Sequence, residues 1–127
     1  AYKFKFIETT DCIIAKVCPG SGKHEVRFAR FRLYQYEKSP FFDEPVLVDC
    51  GWAGGGRLGE ENMDKLTAKL IEKGYNLEKT ELKEKDWFAV ELEYQSRQDR
   101  NDKGQLCFEF PIIIRTREDK PLSECEV

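Results

Sequence analysis

Histidine and methionine occur once each in this 127-residue sequence, as His24 and Met63, and no Cys-x-x-Cys pair is present. A structural zinc site needs about four closely spaced cysteine or histidine ligands, so no metal-ligating residue is expected. The five cysteines, Cys12, Cys18, Cys50, Cys107 and Cys125, are odd in number and widely scattered. That pattern predicts reduced thiols, several of them in the core. No apolar run approaches the roughly 18 residues of a membrane span, and no basic, apolar leader opens the sequence. These absences predict a cytoplasmic protein, or a nuclear one in a eukaryote, with no membrane partner. Internal repeats and low-complexity tracts are lacking too.

What is there fits a globular domain with a busy surface: 40% of residues are hydrophobic and 35% charged. A chain of this length can bury a real core, and one domain is the expectation. The formal net charge of −3 argues against bulk attraction to nucleic acid, but its sign is unevenly placed. Residues 1–36 hold seven Lys/Arg against three Asp/Glu, net +4, and residues 37–127 hold fourteen against twenty-one, net −7. Either the N-terminal part is a phosphate-facing surface or the clustering is chance.

"YKFKF" (residues 2–6) alternates aromatic and lysine, giving one apolar and one cationic face. "CIIAKV" continues as a strand until Pro19, Gly20, Ser21 and Gly22 make a turn. "HEVRFARFRLYQYE" reads as the second strand. Its apolar positions change phase between Phe28 and Phe31, which predicts a bulge or sharp bend. Arg27 falls on one face, Arg30 and Arg32 on the other. "VLVDC" is the third strand, and "GWAGGGRLG" a glycine-rich loop needing positive φ or close backbone approach. Residues 60–73 turn helical, with Met63, Leu66, Leu70 and Ile71 on one stripe and Gly74 as the stop. "WFAVELEYQ" is a fourth strand with Glu91 and Glu93 opposite its apolar face, and "LCFEFPIIIR" a fifth. Three strands, a helix and two strands is the order of the OB-fold, a mostly-β five-stranded barrel with its helix between strands three and four. A β-sandwich is the alternative.

With that order in place, "FPIIIRTREDKP" (residues 110–121) resembles motif VI of ATP-dependent DNA ligases, which ends the last strand of their C-terminal OB domain. Phe110 and Pro111, then Arg115 through Pro121, match the motif; Glu109 and Ile112 stand where the family has arginines. "WFAVELEYQ" resembles the family strand ending Val-Glu-x-x-Tyr-Gln, "GWAGGGRLGEENMDKL" its glycine-rich turn and helix, and "YKFKF" its motif V. The resemblance runs in order over nearly the whole chain.

It implies that residues 1–5 end a nucleotidyltransferase domain and that residues 6–127 form the OB domain. It implies a role in sealing nicked double-stranded DNA during repair, replication and recombination, as a monomer working with the catalytic nucleotidyltransferase domain. ATP and a divalent metal such as Mg are implied for the full enzyme, the metal held mainly outside this chain. Lys3 and Lys5 would lie near the α-phosphate. Arg117, Asp119 and Lys120 would engage the β- and γ-phosphates when the domain closes over ATP. Arg117 can grip phosphate oxygens bidentately and Lys120 supplies a point charge. Asp119 would orient one of them, and Arg115, on the same side of the strand, would assist. The family's nucleophile lies in a Lys-x-Asp-Gly motif that does not occur here, so the chain alone is expected to be inactive, with a hinge at residues 6–11. "GSGK" (residues 20–23) lacks P-loop spacing and reads as a turn.

Other readings stay open. Lys3 and Lys5 could instead form a solvated strand face. Lys23, Arg27, Arg30 and Arg32 could contact DNA phosphates or be scattered surface cations. Trp52 and Trp87 are expected in the core. The same domain could belong to an RNA ligase or capping enzyme, or be a stand-alone single-strand-binding or interaction module.

Overall fold

The computed structural model describes residues 8–20, 27–38, 40–41, 43–55, 57–76, 78–117 and 120–127. The "YKFKF" strand and the boundary at residues 5–6 lie outside them. Strand β1 spans Glu8–Pro19, β2 Phe28–Glu37 and β3 Val46–Gly54. Helix α1, Glu60–Glu72, separates these from β4, Phe88–Tyr94. The two-residue strands β5 (Ser96–Arg97) and β6 (Phe108–Glu109) form a small hairpin sheet, and β7 is Ile112–Arg117. The five long strands close into a barrel in the order β1-β2-β3-β7-β4, with β4 returning to β1. This is the expected OB arrangement, with α1 between β3 and β4. No helix among the described residues is long and apolar enough to cross a membrane.

Barrel closure needs strands to bend, and the sequence supplies the irregularities. Cys18 pairs with Arg30 but Pro19 pairs with Phe28, so Ala29 is an extra residue in β2. That is where the apolar phase changes: Phe28 and Ala29 are both buried, followed by Phe31, Leu33 and Gln35 at alternate positions. A second irregularity puts Cys50 between residues paired with Leu33 and Tyr34. Beside it Gly51 takes φ +89, and a Cβ there would stand 3.3 Å from Cys107 Sγ. The predicted glycine loop is thus partly strand, since β3 runs on to Gly54. Gly55 permits close packing instead, because a Cβ there would meet the Phe31 ring at 3.0 Å and Met63 Sδ at 3.1 Å.

The core combines Val17, Phe28, Phe31, Leu33, Val90, Leu92 and Ile113 with Met63 and Leu70 from α1. The helix face is rotated from the predicted stripe. Ile71 is 53% exposed, and Thr67 is buried in its place. The Thr67 hydroxyl accepts the Phe28 N–H at 2.9 Å and donates to the Met63 carbonyl at 2.8 Å, so the polar group satisfies an otherwise orphaned strand donor. Trp87 packs on the core with its Nε1–H on the Leu82 carbonyl. Trp52 does not: it is half-buried, with the Arg30 and Arg32 guanidiniums 5.3 and 5.1 Å from its ring centroid. The predicted fifth strand is broken in two at Phe110, an exposed residue at φ +52. Residues 8–11, within the expected hinge, are already paired with β4 and belong to the barrel.

Cys12, Cys50 and Cys125 are buried, and all five thiols are free. Burial pushes both Cys50 and Cys125 up to about 11, which leaves them protonated and inert as nucleophiles.

Candidate functional site

Alternation in β4 turns Val90 and Leu92 inward and Glu91 outward. Register then aligns Asp11 of β1 with Glu91, and Glu91 with Arg115 of β7. Two carboxylates and a guanidinium therefore stand in one row across three strands. Arg115 Nε lies 2.5 Å from Glu91 Oε2. Arg117 Nη1 reaches the same oxygen at 3.3 Å and Asp11 Oδ1 at 3.5 Å. Lys120, three residues on, places Nζ 3.1 Å from Asp11 Oδ2 and 3.7 Å from Glu124. The hydrogen bond to Asp11 raises the Lys120 ammonium above its ordinary range. The projection of Arg115 and Arg117 to one side, expected from strand spacing, is what brings three cations onto two carboxylates.

These cations form one wall of a groove of about 770 Å³ between α1 and β7. Lys65, Lys69 and Lys73, spaced four residues apart along α1 and its C-terminal end, form the opposite wall, with Lys85 and Arg57 beside them. The floor is apolar, with Leu66, Leu70, Trp87, Phe88 and Ile114. Among the described residues that line it, eight are cationic and only Asp86 is acidic. Asp86 accepts the Tyr75 hydroxyl at 2.6 Å, and that bond, ahead of nearby Lys73, holds its carboxyl below the usual range. On a chain of net charge −3, this is a strong local segregation of positive charge.

Of the residues singled out by sequence, Arg115, Arg117 and Lys120 come together here. Lys3, Lys5, Lys23 and Asp119 lie outside the described residues. Arg27 is held against α1, with Nε 3.0 Å from Asp64 and Nη1 3.7 Å from Glu60. Arg32 is paired with Asp49, and Arg30 is exposed above Trp52. Arg30 and Arg32 share a face, as alternation predicts, while Arg27 serves the helix. Motif and composition do not single out the α1 lysines, although their i, i+4, i+8 spacing on a predicted helix marks a single face. Nor do they single out Asp11 and Glu91 as partners, whose positions depend on strand register.

No protein-family model and no curated protein matches this sequence. Among solved structures, the chain is similar to the ligase domain from M. tuberculosis LigD, with 16% identity and a TM-score of 0.65 over 95% of this chain and 39% of that one. It is also similar to Pmar-Lig_PreS3, with 13% identity and a TM-score of 0.55 over 87% of this chain and 21% of that one. The chain thus spans well under half the length of each. At such identities the likeness is one of fold, and the first of these neighbours is a ligase domain.

Proposed function

We propose that this chain is the C-terminal OB domain of an ATP-dependent DNA ligase, and that Arg117 and Lys120 contact the β- and γ-phosphates of ATP during lysine adenylation. The observation that carries this reading is the convergence of Arg115, Arg117 and Lys120 at the end of the last barrel strand, within the Arg-x-Arg-Glu-Asp-Lys-Pro string. Three cations held together by two carboxylates suit a ligand with several anionic oxygens, since charge-assisted bonds to phosphate can replace those to carboxylate. ATP would supply the adenylyl group that activates the 5′-phosphate of a nick. Arg117 and Lys120 would orient the departing phosphates and offset their charge, and Arg115 would support Arg117. Asp119 would orient one of the two.

Lys3 and Lys5 would stand near the α-phosphate, and a divalent metal would be held mainly by the catalytic domain. Nicked duplex DNA would be the substrate, with Lys23, Arg27, Arg30 and Arg32 as its candidate contacts; Arg30 is the most accessible of those described. Serving both ATP and DNA implies a domain that changes orientation between steps.

The test pairs the chain with its catalytic domain and offers nicked DNA and nicked RNA. Sealing of DNA supports the reading; sealing of RNA alone transfers the domain to an RNA ligase. The chain by itself, with ATP and Mg, should form no covalent AMP adduct, and a stable adduct would overturn the assignment.

A further inference from the structure

We infer that the groove between α1 and β7 is a track for the phosphodiester backbone of a single nucleic-acid strand, with Lys65, Lys69, Lys73 and Lys85 as its phosphate contacts. The proposal goes beyond the contact of Arg117 and Lys120 with ATP, and it places nucleic acid on a different face from Arg30 and Arg32. Lys65, Lys69 and Lys73 are exposed along α1 and at its end, and each four-residue step advances about 6 Å along the helix axis. This makes a line of charges rather than a point. Lys85 lines the same groove, so a chain of regularly spaced anions fits it better than a compact ion.

None of the four acidic residues of α1 is among the residues that line the groove. Glu60 and Asp64 are turned to Arg27, and Glu61 reaches Lys65 only at an exposed 3.3 Å. Asp86 is engaged by Tyr75 and lies 3.5 Å from Lys73. The apolar floor separates the two cationic walls and gives sugars and bases a surface to lie on, as grooves for single strands do. A volume of about 770 Å³ suits a few nucleotides of one strand.

The experiment is fluorescence anisotropy of the purified chain with a labelled oligothymidylate over a salt series. Substituting Lys65→Ala, Lys69→Ala and Lys73→Ala together should weaken binding by about tenfold at moderate salt. It should also reduce the slope of log K against log salt by about 2, because each lysine–phosphate pair on a single strand accounts for ~0.7 of that slope. Alanine favours the helix, and circular dichroism confirms that α1 persists; a glutamine triple variant, which keeps side-chain length, should lose the same slope. Arg30→Ala with Arg32→Ala should change binding less. The proposal fails if the triple variants bind as the parent does, or if the parent binds no oligonucleotide at low salt. It also fails if polyglutamate displaces the strand at equal charge concentration, which would assign the groove to an acidic peptide. A failed adenylation role for Arg117 leaves these readouts unaffected.

Discussion

Arg117 and Asp11 face each other across β4: the Arg117 guanidinium lies 3.5 Å from Asp11 Oδ1, while Lys120 takes the other oxygen of the same carboxylate at 3.1 Å. Asp11 is thus an internal counter-ion for two residues that the proposed function assigns to phosphate. A phosphate entering the site competes with it.

Asp11→Asn should therefore strengthen binding of tripolyphosphate to this chain, by about two- to fivefold, the scale of a partly exposed ion pair. Isothermal titration calorimetry measures it, in parent and variant at one salt concentration. Weaker binding by the variant would mean that Asp11 positions the cations more than it occupies them.

Gly51 and Gly54 offer a contrast within one strand. Gly51→Ala forces a side chain onto a φ of +89 and toward Cys107, and should cost about 1–2 kcal/mol in urea unfolding. At Gly54 nothing lies within 4 Å of an added Cβ, so Gly54→Ala should fall within about 0.5 kcal/mol of the parent. Equal losses would contradict the bulge described in β3.

Asp49 should shape the acid limb of stability. Burial alone would raise its carboxyl, but the hydrogen bonds from Arg32 and from the Gly51 N–H bring it below the usual range. A lowered folded-state value means that the contribution is present above the ordinary carboxylate range and is lost as pH falls through the folded value. Asp49→Asn should cost about 1 kcal/mol near neutrality, allowing for solvent screening at this partly exposed pair. It should also flatten the fall of Tm between pH 5 and pH 2 (roughly the window in which paired carboxylates titrate). An unchanged acid limb would assign that fall to other carboxylates.

The barrel was legible because its signals are local. Period-two alternation in β4, the helical stripe ended by Gly74 and the phase change at Phe28 each follow from neighbouring residues. What escaped depends on contacts across the fold. Ile71 and Thr67 exchange exposure because α1 is set by a hydrogen bond to Phe28, 39 residues away. Trp52 is apolar enough for a core, yet register opposite Arg32 puts it on the surface beneath two guanidiniums. The string ending at Lys120 marked half of the candidate site. Its carboxylates came from β1 and β4, and its opposite wall from α1, which only barrel closure brings near.

The most direct test of the central claim separates the chemical steps in the enzyme reassembled with its catalytic domain. Single-turnover rates of self-adenylation with ATP and of sealing pre-adenylated nicked DNA are measured for parent and Arg117→Ala, with Arg117→Lys as a charge-retaining control. Arg117→Ala should slow adenylation by roughly a hundredfold, the scale of losing a cation that stabilises phosphoryl transfer. Sealing of pre-adenylated DNA should change by less than about threefold, and lysine should restore part of the adenylation rate. Equal losses in both steps would contradict the account, because Arg117 would then be holding the barrel or the DNA instead of the triphosphate.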